Sequence, residues 1–170
     1  ASLDFDNVAA GATGTIVDDT TGTKATINGA AAVTASKDGT AAVRLGSGFW
    51  LNVTKSDDSA VLKGLDAVTI SYDSKSASTN QGWSVFAAPN TNAQTYQQEH
   101  YLGVMDRTTS VNVERYNNAG KRDTTGNVSK DGLASQWRHV DLVIDEAAST
   151  LYIDGEQAAT VAPADGASFA

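Results

Sequence analysis

The 170-residue chain has no cysteine, two prolines and few cationic side chains, and each shortage removes a class of function. Without cysteine there are no disulfides, no thiolate zinc sites and no thiol nucleophile. With 12 basic against 20 acidic residues the formal net charge is −8, so the whole-molecule field repels phosphate backbones and anionic lipid, and neither is an expected partner. No apolar run approaches the ~18 residues of a membrane span, and the opening "ASLDFD" carries no basic or apolar leader. Membrane insertion is therefore not expected.

What is present is 15 glycines among abundant Ala, Thr, Ser, Asp and Asn, the composition of many turns joining short strands. Leu3 and Phe5 alternate with Asp4 and Asp6 and read as a first strand. Gly11, Gly14, Asp18, Asp19, Gly22 and Gly29 then cut the following segment into pieces too short for a three-turn helix. Asp38-Gly39 sits between two apolar runs in "AVTASKDGTAAVRL", the dipeptide of a tight hairpin turn. "FWLNV" predicts another strand, and the spacing over 57–62 predicts one short helical turn before a strand at 67–72. Further strands are predicted at 83–88, 101–106, 110–116 and 121–123, with "SKDGLASQ" as a loop.

The segment "WRHVDLVIDEAASTLYIDGEQAATV" (137–161) is richest in candidate chemistry, with His139, Asp141, Asp145, Glu146 and Asp154. Val140, Leu142 and Ile144 share one strand face and His139 and Asp141 the other. Asp141 and Asp145 share a face but stand ~13 Å apart along an extended strand. That exceeds the ~5 to 9.5 Å of paired glycosidase carboxylates. Asp154 before Gly155 is turn chemistry, and His139 has no nearby Ser motif or metal-spaced second His, the other histidine being His100. This segment reads as scaffold. Strands at this spacing without long helices predict an all-β domain spanning 1–170, a two-sheet antiparallel β-sandwich or jelly roll.

Trp137-Arg138-His139-Val140 followed by Leu151-Tyr152-Ile153-Asp154-Gly155 resembles the late strands of bacterial laminin-G-like, concanavalin A-like modules, which commonly read W-x-H-V and then L-Y-x-D-G. "LDFDN", "DDTTGTKATINGAA" and "AAVRLGSGFWLNV" resemble the family's opening strand, its following loop and a later hairpin. The family's usual closing strand has no counterpart after Val161, so the resemblance implies a fragment of a larger multidomain protein whose sandwich either lacks that C-terminal strand or takes it from another segment. "VDLVIDE" also lacks the E-x-D-x-x-E arrangement of related sandwich glucanases. An accessory module of a secreted bacterial glycoside hydrolase is the implied class, and the absence of disulfides suits that setting.

Two candidate sites follow. Asp6, Asp18 and Asp19 lie in segments resembling the family's metal-bearing region, and carboxylates with loop carbonyls suit calcium; the competing reading is that Asp18-Asp19 satisfies a turn. Sugar binding needs aromatic faces beside fixed polar groups, and "NTNAQTYQQEHYLGVMD" with its neighbours supplies Trp83, Tyr96, His100, Tyr101, Asp106, Arg115 and Tyr116. The expected partners are a glycan and the catalytic domain of the same parent protein, at a secreted or cell-surface location. A surface adhesion or protein-interaction module on the same fold is the alternative. A third reading is a small glycanase using Glu99 and Asp106.

Overall fold

A computed structural model of the chain describes residues 2–5, 8–18, 20–30, 32–46, 48–77, 83–87, 101–116, 122–129 and 136–162. These residues are all-β, without a helix, and every strand pairing is antiparallel. The chain divides into two compact units, Ala1–Lys63 and Gly64–Ala170.

In the first unit β1 (Gly14–Val17), β2 (Lys24–Asn28) and β5 (Trp50–Thr54) form one sheet in the order β1-β2-β5. The predicted hairpin is β3 (Ala32–Ala35) with β4 (Ala41–Arg44). Its turn forms as the sequence dictates: Gly39 takes φ 86°, and Oδ1 of Asp38 accepts from the Ser36 hydroxyl at 2.8 Å and the Thr40 hydroxyl at 2.6 Å. Strand alternation turns one face inward, so Ile27 and Val33 are buried with Ile16, Val43, Phe49 and Leu51 packed against them. Two expectations fail here. Residues 3–5 are not a strand: the Val8 N–H turns back to the Phe5 carbonyl at 2.9 Å, because alternation alone forms no strand without a neighbouring edge. Residues 57–62 are not helical either. Asp58 adopts φ 66° and the Lys55 N–H bonds the Ser59 carbonyl at 2.9 Å, which closes a non-helical turn and lets Ala60 bridge to Thr54.

The second unit holds β6 (Val68–Ser74), β7 (Val85–Ala87), β8 (Tyr101–Asp106), β9 (Ser110–Tyr116) and β10 (Arg122–Thr124). It continues with β11 (Val128–Ser129), β12 (Arg138–Ile144), β13 (Ser149–Ile153) and β14 (Glu156–Val161). They form a four-stranded sheet, β14-β13-β12-β6, and a five-stranded sheet, β10-β9-β8-β7 with β11 also on β9. Val140, Leu142, Ile144, Leu151 and Ile153 line the inward face of the first, and Leu102, Val104, Val111 and Val113 that of the second. Each of these nine side chains is almost wholly removed from water. Truncating one such core residue, Leu142→Ala for example, costs about 2 to 5 kcal/mol. Polar groups also cross between the sheets: Arg138 on β12 reaches Asp106 on β8 at 3.0 Å, and the Ser74 hydroxyl of β6 donates to the same carboxylate. This unit is thus an antiparallel two-sheet sandwich.

The segment read as scaffold takes that role. β13 and β14 join through Asp154-Gly155, both at positive φ (52° and 79°), and Oδ1 of Asp154 accepts the His139 N–H at 2.9 Å. Asp145, just past β12, accepts the backbone N–H groups of Ala147 and Ala148 at 2.8 and 2.9 Å. Those bonds hold its carboxyl below the usual carboxylate range.

Candidate functional site

Along β8 alternate side chains go to opposite faces. Leu102, Val104 and Asp106 point between the sheets, so Tyr101, Gly103 and Met105 lie on the outer face of the five-stranded sheet. Register carries this parity to neighbouring strands: Phe86 opposes Gly103, and Asn112 and Glu114 oppose Met105 and Gly103. Arg122 and Thr124 on β10 extend the same face.

Three aromatic rings gather there. Trp83 lies 5.8 Å from Phe86 and 5.5 Å from Tyr101, and Phe86 lies 5.6 Å from Tyr101. Gly103 makes this possible, because a Cβ at that position would stand 2.4 Å from two indole carbons of Trp83. Phe86 remains 43% exposed, so the cluster presents an apolar surface to solvent while Tyr101 is buried beneath it. Polar groups continue from the ring edge. The Tyr101 hydroxyl donates to Oε1 of Glu114 at 2.5 Å, and the exposed Arg122 guanidinium stands 3.6 Å from the same oxygen. Next to them the Thr124 hydroxyl donates to Oδ1 of Asn112 at 2.8 Å. Glu114 and Asn112 are themselves buried, at 8% exposure each, so the groups that face solvent are the Phe86 ring and the Arg122 guanidinium, and these suit a saccharide: C–H groups against the ring, hydroxyls on the guanidinium.

Of the residues selected from sequence, Trp83 and Tyr101 come together in this cluster. Asp106 and Arg115 have the opposite parity and face inward, where Arg115 pairs with Asp123 at 3.3 Å and Asp106 with Arg138. Burial pushes the Asp106 carboxyl up, while the Ser74 hydroxyl and Arg138 pull it down less strongly. Tyr116 ends β9, and Tyr96, His100 and Glu99 lie outside the described residues. Phe86, Asn112, Glu114 and Arg122 were not selected from sequence. The alternation in "SVNVERY" carries the signal for two of them, since Asn112 and Glu114 share the parity of Tyr116.

Asp18 sits in the β1–β2 turn, where its Oδ1 accepts the N–H groups of Thr20 and Thr21 at 2.8 and 2.7 Å and the Thr21 hydroxyl at 3.1 Å. The Thr21 N–H is the chief cause of a carboxyl held below its usual range. That oxygen serves the turn, and among the described residues no three His, Asp or Glu side chains group to hold a metal ion. Asp6 and Asp19 lie outside the described residues. On the outer face of the other sheet, His139 stands between Asp73 (Nδ1 to Oδ1, 3.1 Å) and Asp141 (Nε2 to Oδ1, 3.2 Å), with all three in contact with solvent.

No protein-family model matches the sequence, and no curated protein matches it. In fold, the chain is similar to domain 4 of AbnA, an extracellular GH43 arabinanase from Geobacillus stearothermophilus, whose structure was determined in complex with arabinotriose. The similarity has a TM-score of 0.67 over 96% of this chain and 75% of that one, at 16% sequence identity. At that identity the likeness establishes a shared fold.

Proposed function

We propose that this chain is a non-catalytic, lectin-like carbohydrate-binding module of a secreted bacterial carbohydrate-active enzyme, of the laminin-G-like, concanavalin A-like class. It holds the enzyme's catalytic domain near a glycan. The observation that carries the reading is the Trp83-Phe86-Tyr101 cluster, partly open to solvent and continuous with Glu114 and Arg122 on the outer sheet face. The fold shared with an arabinanase domain solved with an oligosaccharide supports it. Against the glycanase reading, Asp106 has its carboxylate engaged between the sheets by Arg138 and Ser74, away from the face a substrate would approach.

The test is an array of plant and host glycans probed with the folded chain, first with calcium and then with EDTA. Saccharide retention that falls on Phe86→Ala and Trp83→Ala supports the module and its site. Unchanged retention sinks the site, and a verified folded chain that retains no glycan sinks the function in favour of a bracing or protein-interaction role. Retention lost in EDTA would point to calcium and to the segments holding Asp6, Asp18 and Asp19.

A further inference from the structure

Among the described residues, the sheet β1-β2-β5 of the first unit buries one face against the β3-β4 hairpin side and leaves the other without a covering strand of its own unit. On the buried side are Ile16, Ala25, Ile27 and Leu51. By parity and register, the open side carries Thr15 and Val17 on β1, Lys24, Thr26 and Asn28 on β2, and Trp50, Asn52 and Thr54 on β5. Trp50 is 57% exposed, the most open of the large hydrophobic side chains among the described residues. Its placement is not accidental to the local fold. Gly46 and Phe49 exchange backbone bonds at 3.2 and 3.1 Å, and a Cβ on Gly46 would fall 2.4 Å from the Phe49 ring, so Phe49 is seated inward. Strand alternation then sends Trp50 outward. Gly29, at φ 70°, lies so close that a Cβ would be 2.4 Å from the Gly48 carbonyl oxygen, which fixes the end of β2 beside the start of β5. Trp50 is thus held directly opposite Asn28, and Asn52 opposite Thr26.

The neighbours of this indole state what it can bind. Asn28, Asn52, Thr26 and Thr54 offer amides and hydroxyls that both donate and accept, and the Asn28 amide is oriented by donating to the Thr26 carbonyl at 3.0 Å. None of the strand positions on this face is acidic, in a chain of formal charge −8, and its cation, Lys24, pairs with Asp58 at 3.0 Å. A protein partner would be met best by an apolar ring around the tryptophan, whereas short neutral polar groups surround this one. An occupant that is apolar on one face, rich in hydroxyls at its edges and without charge satisfies both parts: the face of a sugar ring on the indole, hydroxyls on Asn28 and Asn52.

We infer that the open face of β1-β2-β5, centred on Trp50, is a second binding surface, for neutral oligosaccharide chains, separate from the Trp83 site. Only the ligand class rests on the glycan-binding reading above; no residue is shared.

The experiment records indole and backbone amide spectra of the full 170-residue chain during titration with neutral oligosaccharides of arabinose, xylose and glucose units. Trp50→Phe identifies the resonance. The expected result is a saccharide-dependent shift of the Trp50 indole and of the Asn28 and Asn52 amides, with affinity at this face lowered at least about tenfold by Trp50→Ala. Because Trp50 is exposed, that variant retains the fold, and Asn52→Ala gives a milder second test. Shifts confined to Trp83 and its neighbours overturn this inference and leave the first site standing. Shifts confined to Trp50 and its neighbours do the reverse. A folded chain that shifts with none of the sugars overturns both.

Discussion

The guanidinium of Arg138 on β12 meets the carboxylate of Asp106 on β8 at 3.0 Å, with their side chains 0% and 2% exposed, so the two sheets of the second unit are joined by a fully buried ion pair. Arg138 also donates to the Arg107 carbonyl at 2.7 Å. Removing one charge leaves the other stranded in a medium that solvates it poorly. Asp106→Asn should therefore cost about 3 to 5 kcal/mol, while replacing both residues by apolar side chains of similar volume should cost much less. Denaturant midpoints of the two single variants and the double variant give the coupling. Additive losses would show that the pair is not the unit of stability.

Among the described residues, four turn aspartates favour their charged form. Asp18, Asp38, Asp57 and Asp145 each accept backbone or hydroxyl donors two or three residues on, and each is held below its usual range. Asp38 is the strongest case, lowered from 3.8 to about 2 chiefly by the Thr40 hydroxyl, then by that of Ser36. A carboxyl depressed in the folded state stabilises the fold fully above its unfolded value, and that contribution is lost as pH falls through the folded one. A carboxyl titration followed by NMR should place Asp38 near 2 and should move it back toward 3.8 in Thr40→Val. A midpoint near 3.8 in the parent chain would mean that the turn does not hold these bonds.

Tyr101 and Glu114 couple the aromatic cluster to its polar edge. Tyr101→Phe removes the hydroxyl donor at 2.5 Å and leaves Arg122 beside the carboxylate at 3.6 Å, so stability should fall by about 1.5 to 3 kcal/mol. Glu114→Gln keeps an acceptor for the Tyr101 hydroxyl but loses the charge facing Arg122, and should cost less. If Glu114→Gln loses as much as Tyr101→Phe, the charge on the carboxylate is what gives the hydroxyl bond its strength. Thermal unfolding of both chains decides this.

Much of the fold is legible where turn chemistry and alternation agree. The Asp38-Gly39 and Asp154-Gly155 hairpins, β8, β9 and β14 stand where the pattern puts them, because these turns require φ that Gly supplies and the strands between them bury one face. β1, β2 and the short β11 are harder to see, since "GTIV", "KATIN" and "VS" owe their state to neighbours distant in sequence. The site is harder still. All six residues of β8 are buried, so its composition does not reveal which face is the core, and Asp106 looks as available as Tyr101. A one-residue change of parity separates a candidate contact from a buried ion pair. The stacking of Trp83 on Gly103 is a long-range packing event with no local pattern to announce it.

That stacking gives the sharpest link from packing to function. An alanine at position 103 would drive its methyl group to within 2.4 Å of the Trp83 ring, and because β8 is paired on both sides, the indole is what must move. Overpacking of this kind costs about 1 to 3 kcal/mol. Gly103→Ala should therefore lower the thermal midpoint, change the near-ultraviolet circular dichroism as the rings separate, and weaken glycan retention as far as Trp83→Ala does. In a Trp83→Ala background the same substitution should be nearly neutral, since the ring it strikes is gone. Displacement of the ring with retention intact would mean that the aromatic cluster packs the sheet and does not touch the sugar.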